Sequence, residues 1–83
     1  FHTELTAEKV NLISCESLRE PMRLKAKIRY RHSEQDAVAW QTEDGVLHVR
    51  FDKPQRAITR GQAVVLYDGD IVVGGGVIES CIK

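Results

Sequence analysis

The sequence predicts an all-β protein, an antiparallel barrel of six or seven short strands that is closed or nearly closed. Two observations predict it. Apolar and polar residues alternate with a period of two over much of the chain, and turn-forming pairs separate the alternating stretches. The 83 residues suffice for one domain. Closing the sheet would hide the strand edges through which so small a sheet otherwise aggregates.

The predicted strands follow one another with short turns between them. In chain order they are Val10–Ser14, Met22–His32, Asp36–Gln41, Val46–Phe51, Gln62–Tyr67 and Asp70–Glu79. Glu43-Asp44-Gly45 and Asp68-Gly69 supply hairpin turns. Proline cannot donate to a β-ladder, so Asp52-Lys53-Pro54-Gln55 is predicted to end its strand. Gly74-Gly75-Gly76 indicates a bend at a barrel corner; a phosphate-binding role is less favoured because no Lys-Ser or Lys-Thr pair follows.

Composition excludes several classes of function. Twelve basic residues balance twelve acidic ones, which argues against a dedicated nucleic-acid-binding protein. No apolar run approaches the length of a membrane span, and the start at Phe1 suggests an excised piece. Cys15 and Cys81 have no zinc-site spacing and are expected to be reduced thiols in a cytoplasmic protein. We therefore expect no bound metal and no catalysis by this chain alone.

The three histidines share no ligand spacing. His48 falls in the outward phase of its strand, so a solvated side chain is expected there.

The basic strand carries the clearest pattern in the sequence. From residue 22 to residue 31 the even positions are apolar or aromatic, and the odd positions are Arg23, Lys25, Lys27, Arg29 and Arg31. Alternate residues of a strand are about 6.6–6.8 Å apart, close to the ~7 Å repeat of an extended phosphodiester backbone. The pattern is equally consistent with a cationic ladder that contacts RNA phosphates and with a solvated face balanced by acidic residues on neighbouring strands.

Several motifs resemble those of the tRNA-specific 2-thiouridylases, known earlier as tRNA (5-methylaminomethyl-2-thiouridylate)-methyltransferases. The segment 21–31 resembles their K-x-R-Y strand, and the segment 51–62 resembles their F-x-x-P-x-x-A-x-x-P-G-Q motif. The segments 65–70 and 73–79 resemble their terminal Y-x-G-x-x-x-G-G-G-x-I block. Arg60 stands where that family usually has proline before the glycine, although Gly61 still suits the third position of a type II turn.

The resemblance implies a six-stranded barrel like the second domain of translation elongation factors. The whole chain, residues 1–83, would be the C-terminal domain of an enzyme whose catalytic and central domains are absent. That enzyme replaces the 2-oxygen of the tRNA wobble uridine with sulfur, using ATP and a persulfide. ATP would bind in the missing N-terminal domain, so no cofactor is expected here, and neither cysteine matches a catalytic position.

The same resemblance implies that this domain holds the anticodon arm of tRNA without catalysing the reaction. By motif, the tRNA contacts are Arg29, Tyr30 and Gln62, and the cationic pattern adds Lys27 and Arg31. Tyr30 alternates with the cations, so a place in the core or at the barrel mouth is as plausible for it. Gln62 has the alternative role of capping its loop.

A second hypothesis is a docking barrel that supports the catalytic domain or binds a sulfur-carrier protein, through exposed apolar residues such as Val46. No membrane partner is expected.

Overall fold

Six β-strands form the structure, a computed structural model that describes residues 2–28, 34–56 and 58–82. The strands are β1 (His2–Leu12), β2 (Met22–Lys27), β3 (Gln35–Gln41), β4 (Leu47–Gln55), β5 (Ala63–Asp68) and β6 (Ile71–Ile82). Every pair of neighbouring strands is antiparallel, and the order β1-β4-β3-β2-β5-β6 closes into a barrel. The predicted closed, six-stranded, all-β barrel is confirmed. Among the residues described, no helix is long and apolar enough to span a membrane.

The barrel interior is filled by the inward positions of the alternating pattern. On β2 and β3 many of these positions are alanine, which suits the narrow interior of a small barrel. Two loop residues, Leu18 and Ile58, are also buried, at 4% and 5% exposure. The buried apolar residues are Leu5, Ala7, Leu18, Leu24, Ala26, Ala37, Ala39, Leu47, Val49, Phe51, Ile58, Val64, Leu66, Val73 and Ile78.

The first strand is longer than the sequence pattern indicated. Val10–Ser14 was predicted, whereas β1 spans His2–Leu12. Its pairing with β6 shifts register between Thr6 and Ala7 and again between Glu8 and Asn11. Lys9 lies in the second irregularity with a φ of 52°. Such bulges interrupt the two-residue alternation on which the prediction relied, so the strand was not visible in the sequence.

The prediction that residues 52–55 end their strand is wrong, because β4 continues to Gln55. Pairing of β4 with β3 stops at Phe51, opposite Ala37. Beyond that point β4 pairs with β1, through Gln55 and His2. Pro54 therefore lies in a stretch where β4 pairs with none of the described residues of β3, and a missing N–H is tolerated there.

The three consecutive glycines form a seam where β6 passes between β1 and β5. A Cβ atom on Gly75 would overlap the carbonyl oxygen of Val64, and one on Gly76 would lie 2.8 Å from the carbonyl oxygen of Glu8. The pairing of β5 with β6 also shifts register beside this seam. The glycines thus allow close approach of two backbones at a bulged corner, in line with the corner interpretation.

The antiparallel topology divides the loops and turns between two ends of the barrel, which differ in charge. One end, called here the acidic end, comprises residues 13–21, the hairpin turn 42–46 and the residues 68–70. It includes Glu16, Glu20, Glu43, Asp44, Asp68 and Asp70, with Arg19 among them. The opposite end, called here the basic end, comprises Lys27, Glu34, residues 53–56 and 58–62, the first residues of β1 and the last residues of β6. It includes Lys27, Lys53, Arg56 and Arg60, with Glu4, Glu34 and Glu79 among them. Leu18 is buried at the acidic end and Ile58 at the basic end.

Candidate nucleic-acid interface

The outer face of β2 presents the predicted cations, because its inward positions Leu24 and Ala26 are buried in the core. Arg23 and Lys25 are exposed and Lys27 is half-buried. The predicted alternation is confirmed from Met22 to Lys27, where β2 ends. Arg29, Tyr30 and Arg31 lie outside the residues that the structure describes, so their predicted contacts with tRNA stay predictions.

Two of these cations form ion pairs on the barrel surface. Arg23 donates from both terminal nitrogens to the carboxylate of Asp52, at 2.9 and 3.1 Å. Hydrogen bonding and charge attraction in this pair lower the pKa of Asp52 and raise that of Arg23. Lys25 lies 3.8 Å from a carboxylate oxygen of Asp36 on β3. This part of the face matches the alternative of a solvated surface balanced by acidic neighbours.

Lys27 differs from the two cations before it. It makes no ion pair with any residue in the described parts of the chain. Its register partner is Val65 on β5, whereas Lys25 is opposite Tyr67. Because β5 runs antiparallel to β2, the end of β2 at Lys27 lies beside the start of β5. Gln62 immediately precedes that start. Lys27 and Gln62 are therefore at the same end of the barrel.

The turn that carries Gln62 is built as the sequence predicted. The Gln62 N–H donates to the carbonyl of Thr59 at 3.3 Å, and Gly61 between them has a φ of 93°. These features are those of a type II turn with glycine in its third position. The Gly61 N–H donates to the carbonyl of Ile78 at 2.8 Å, and the Ile78 N–H donates to the carbonyl of Gln62 at 2.7 Å. The turn is thus fixed to β6, with Arg60 exposed at its tip.

The Gln62 side chain caps this turn. Its Oε1 atom accepts a hydrogen bond from the Thr59 N–H at 3.1 Å. Capping was the alternative to an RNA contact for this residue, and the geometry shows that the cap is present. The Nε2 group of the same side chain is the part that the cap does not use. Capping holds the amide plane in one orientation, so it is compatible with a second role for that donor.

An aromatic cluster on the outer face of β3 and β4 was missed by the sequence analysis. Trp40 and His48 are register partners, with ring centroids 5.3 Å apart and planes inclined by 8°. The Arg50 guanidinium lies 5.7 Å from the centroid of the Trp40 ring. His48 lies on the outer face, as its position in the strand predicts, but it is stacked on Trp40 and half-buried and is not fully solvated. The sequence contained the information needed to predict this pair. Residues 40 and 48 are equidistant from Asp44, the centre of the predicted hairpin, and are therefore opposite each other.

The remaining candidates for chemistry are structural. Cys15 and Cys81 are free thiols, and the Sγ of Cys81 donates to the carbonyl of Ile58 at 3.3 Å. Within residues 2–28, 34–56 and 58–82, no cluster of three or more His, Cys, Asp or Glu side chains is arranged to hold a metal ion. Asp44 accepts hydrogen bonds from the Thr42 hydroxyl and the Val46 N–H, which lower its pKa and fix the hairpin turn. Val46, proposed as an exposed apolar residue, is half-buried.

The fold and the site together define a small closed barrel with a polarised, charged surface. The protein family described as the aminomethyltransferase β-barrel domain matches residues 2–78. The chain belongs to this family.

Its relatives include proteins named tRNA-specific 2-thiouridylase MnmA. The one from Acetivibrio thermocellus is 61% identical over 79 residues, covering 95% of this chain and 22% of the relative. One from Thermoanaerobacter sp. is 58% identical over 83 residues, covering 100% of this chain and 23% of the relative. The one from Clostridioides difficile is 50% identical over 82 residues, covering 99% of this chain and 23% of the relative. The chain thus spans less than a quarter of each relative's length, and the resemblance seen in the sequence motifs is confirmed.

Proposed function

We propose that this chain is the C-terminal, non-catalytic tRNA-binding barrel of a cytoplasmic enzyme that 2-thiolates the wobble uridine of tRNA with ATP and a persulfide sulfur donor. The barrel holds the anticodon arm, and its basic end is the contact surface. The observation that carries the proposal is the placement of Lys27 and the Arg60–Gln62 turn at that one end.

Charge decides which part of β2 contacts RNA. At Arg23 and Lys25 the facing carboxylates of Asp52 and Asp36 compete with any phosphate for the cation. No such carboxylate faces Lys27 among the described residues, and Arg60 and Lys53 add positive charge at the same end. A phosphate that approaches there replaces condensed counterions without having to break an ion pair of Lys27. The cationic grip is therefore centred on Lys27 and extends toward Arg29 and Arg31 along the sequence.

Gln62 contributes a contact of a different kind. Its Oε1 is held by the Thr59 N–H, so the Nε2 group presents two donors in a fixed orientation. A donor of this type suits a ribose oxygen or an acceptor on a base edge. Since both Gln62 and Lys27 lie at the basic end, one RNA segment reaches both. Phosphate contacts by the cations then position the arm, and Gln62 adds a directional hydrogen bond.

Titration of a fluorescently labelled anticodon stem-loop at low salt tests this function. We expect weak, salt-dependent binding, and we expect Lys27→Ala to reduce the affinity about three- to tenfold for all stem-loop sequences alike. Arg29→Ala is expected to act in the same way. The matched control is Arg19→Ala, which removes an exposed cation from the acidic end and should leave the affinity unchanged.

Two results would contradict the proposal. The first is binding no stronger than that of an uncharged peptide nucleic acid of the same sequence. The second is an effect of Lys27→Ala that is confined to one RNA sequence, because a phosphate contact carries no sequence information.

A further inference from the structure

Arg60 is an exposed cation at the tip of the turn formed by residues 59–62. Its guanidinium makes no ion pair with any residue in the described parts of the chain. Glu79 follows the residue that anchors the turn to β6, but its carboxylate is also not paired with Arg60. Arg60 therefore keeps its full charge for a ligand, unlike Arg23, which is held by Asp52.

The turn fixes its own backbone and leaves two donor groups unused. The N–H groups of Thr59, Gly61 and Gln62 donate to acceptors within the barrel. The N–H of Arg60 donates to no acceptor among the described residues, and neither does the Nε2 group of Gln62. The turn is thus a rigid frame whose free donors belong to the two residues on either side of Gly61.

The space beside Gly61 is open. Apart from its neighbours in the chain, no atom of the described residues lies within 4 Å of the position that a Cβ on Gly61 would occupy. The φ of 93° at this residue is one that glycine adopts readily and other residues do not, so no side chain fills the space. A ligand can therefore lie against the turn between Arg60 and Gln62.

We infer that Arg60 and Gln62 together hold one nucleotide of the RNA, with the Arg60 guanidinium on its phosphate and the Gln62 Nε2 group on its ribose. The inference rests on the proposed function and adds to it the phosphate contact of Arg60 and the nucleotide that the two residues share. The turn brings its first and fourth Cα atoms to within about 7 Å, so the side chains of its second and fourth residues start close together.

The chemistry of the two donors selects this ligand. A guanidinium donates two parallel hydrogen bonds to phosphate oxygens. A ribose is bonded directly to its phosphate, whereas the base edge lies farther away, so the ribose is the acceptor within reach of the Gln62 amide. An isolated anion, such as a free phosphate ion or a protein carboxylate, satisfies Arg60 but offers nothing to Gln62. Lys27 at the same end provides a contact for a further phosphate of the same strand.

Arg60→Pro tests the phosphate contact. Proline suits the second position of a type II turn, and the N–H that it removes has no acceptor among the described residues, so thermal stability should not fall. We expect the affinity for the labelled anticodon stem-loop to fall about threefold at low salt. The plot of log affinity against log salt should become shallower by about 0.7–0.9. Arg60→Lys keeps the charge and should keep the slope.

Two variants at other positions separate failure of this inference from failure of the proposed function. Arg19→Ala removes an exposed cation from the acidic end and is the control, which should change neither the affinity nor the slope. If Lys27→Ala weakens binding and Arg60→Pro does not, the inference is overturned and the proposed function stands. If neither variant weakens binding, the proposed function fails, and the inference fails with it.

Chemically modified stem-loops test whether the two residues share a nucleotide. A methylphosphonate linkage removes the charge of one phosphate, and a 2′-deoxy nucleotide removes one ribose hydroxyl. We expect a single methylphosphonate position at which the wild type and Arg60→Pro bind equally. A 2′-deoxy substitution in the nucleotide that carries this phosphate should weaken binding by the wild type but not by Gln62→Ala. An effect of Arg60→Pro that persists at every methylphosphonate position overturns the inference, as does a Gln62 contact with a different nucleotide or with none of the 2′-hydroxyls.

Discussion

The two ends of this barrel both consist of loops and turns between antiparallel strands, yet they present opposite surfaces. The basic end combines Lys27 with a turn that two backbone hydrogen bonds, both with Ile78, fix to β6. The acidic end combines carboxylates with exposed aliphatic groups at Ile13, Ile71 and Val72. A net charge of zero thus conceals two surfaces of opposite character. Net charge describes the whole molecule, whereas partners respond to the local field.

The largest expected effects come from the two residues that close the ends of the core. Leu18→Ala and Ile58→Ala each remove a buried side chain, and each should lower the free energy of unfolding by about 3 kcal/mol, as measured by urea denaturation. Their effects on function should differ. Ile58→Ala loosens the turn beside Gln62 and should weaken RNA binding several-fold at temperatures where the variant is folded, whereas Leu18→Ala should not. If Leu18→Ala weakens RNA binding and Ile58→Ala does not, the assignment of the RNA contact to the basic end is contradicted.

Gln62 provides the next test, because two variants separate its two roles. Gln62→Ala loses the hydrogen bond to the Thr59 N–H and should lower the free energy of unfolding by about 1 kcal/mol. Gln62→Glu keeps an oxygen acceptor for that N–H but replaces the Nε2 donor with a negative charge. We expect the second variant to unfold like the wild type and to bind the stem-loop about tenfold less tightly. If Gln62→Glu and the wild type bind RNA with equal affinity, the role of Gln62 is limited to capping the turn.

The pH dependence of stability should report on the carboxylates of Asp52 and Asp44. Hydrogen bonding to Arg23 and to Thr42, respectively, lowers their pKa values below the ordinary value of 3.8. A lowered pKa in the folded state means that the stabilisation is fully present above about pH 4 and is lost as the pH falls through the folded-state pKa. Thermal melts from pH 6 to pH 2 should therefore fall more steeply for the wild type than for Asp52→Asn or Asp44→Asn. If the melting temperatures of the wild type and the variants fall in parallel with pH, the hydrogen bonds of Asp52 and Asp44 do not contribute to stability.

The smallest effect concerns the ion pairs on β2. Asp52→Ala releases Arg23 and removes a negative charge near the cationic strand, so stem-loop affinity should rise about two- to threefold at low salt. The increase should disappear at high ionic strength, where exposed charges are screened. Glu16→Ala removes a carboxylate from the acidic end and is the matched control. If Glu16→Ala raises the stem-loop affinity as much as Asp52→Ala does, the increase reflects the net charge of the protein and not the local charge near β2.

Much of the barrel could be predicted from sequence because two-residue alternation and hairpin turns are local signals. They located the start of β2, the hairpin at Asp44 and the turn before Ile71 to within a residue or two. The predicted end of β2 at His32 is wrong, because the strand ends at Lys27. The start of β1 could not be predicted, since the irregular backbone at Lys9 hides its period. The extension of β4 through Pro54 could not be predicted either, because it depends on which neighbouring strand has already ended.

The candidate site was only partly predictable. The cations of β2 follow from their spacing, but their pairing with Asp52 and Asp36 requires the lateral order of the strands. The division of charge between two ends requires the same knowledge, because the loops concerned are far apart in sequence. Stacking of Trp40 on His48 could have been predicted, because the two residues are equidistant from the centre of the predicted hairpin. It was missed because alternation indicates which face of the sheet a side chain is on, but not which side chain lies next to it.

The salt dependence of stem-loop binding tests the central claim most directly. With three or four phosphate contacts at the basic end, the plot of log affinity against log salt should have a slope of roughly −2 to −4. Lys27→Ala should make that slope shallower by about 0.7–0.9, and Arg19→Ala should leave it unchanged. A slope that stays the same in Lys27→Ala, or that becomes shallower in Arg19→Ala, would contradict the placement of the RNA contact at the basic end.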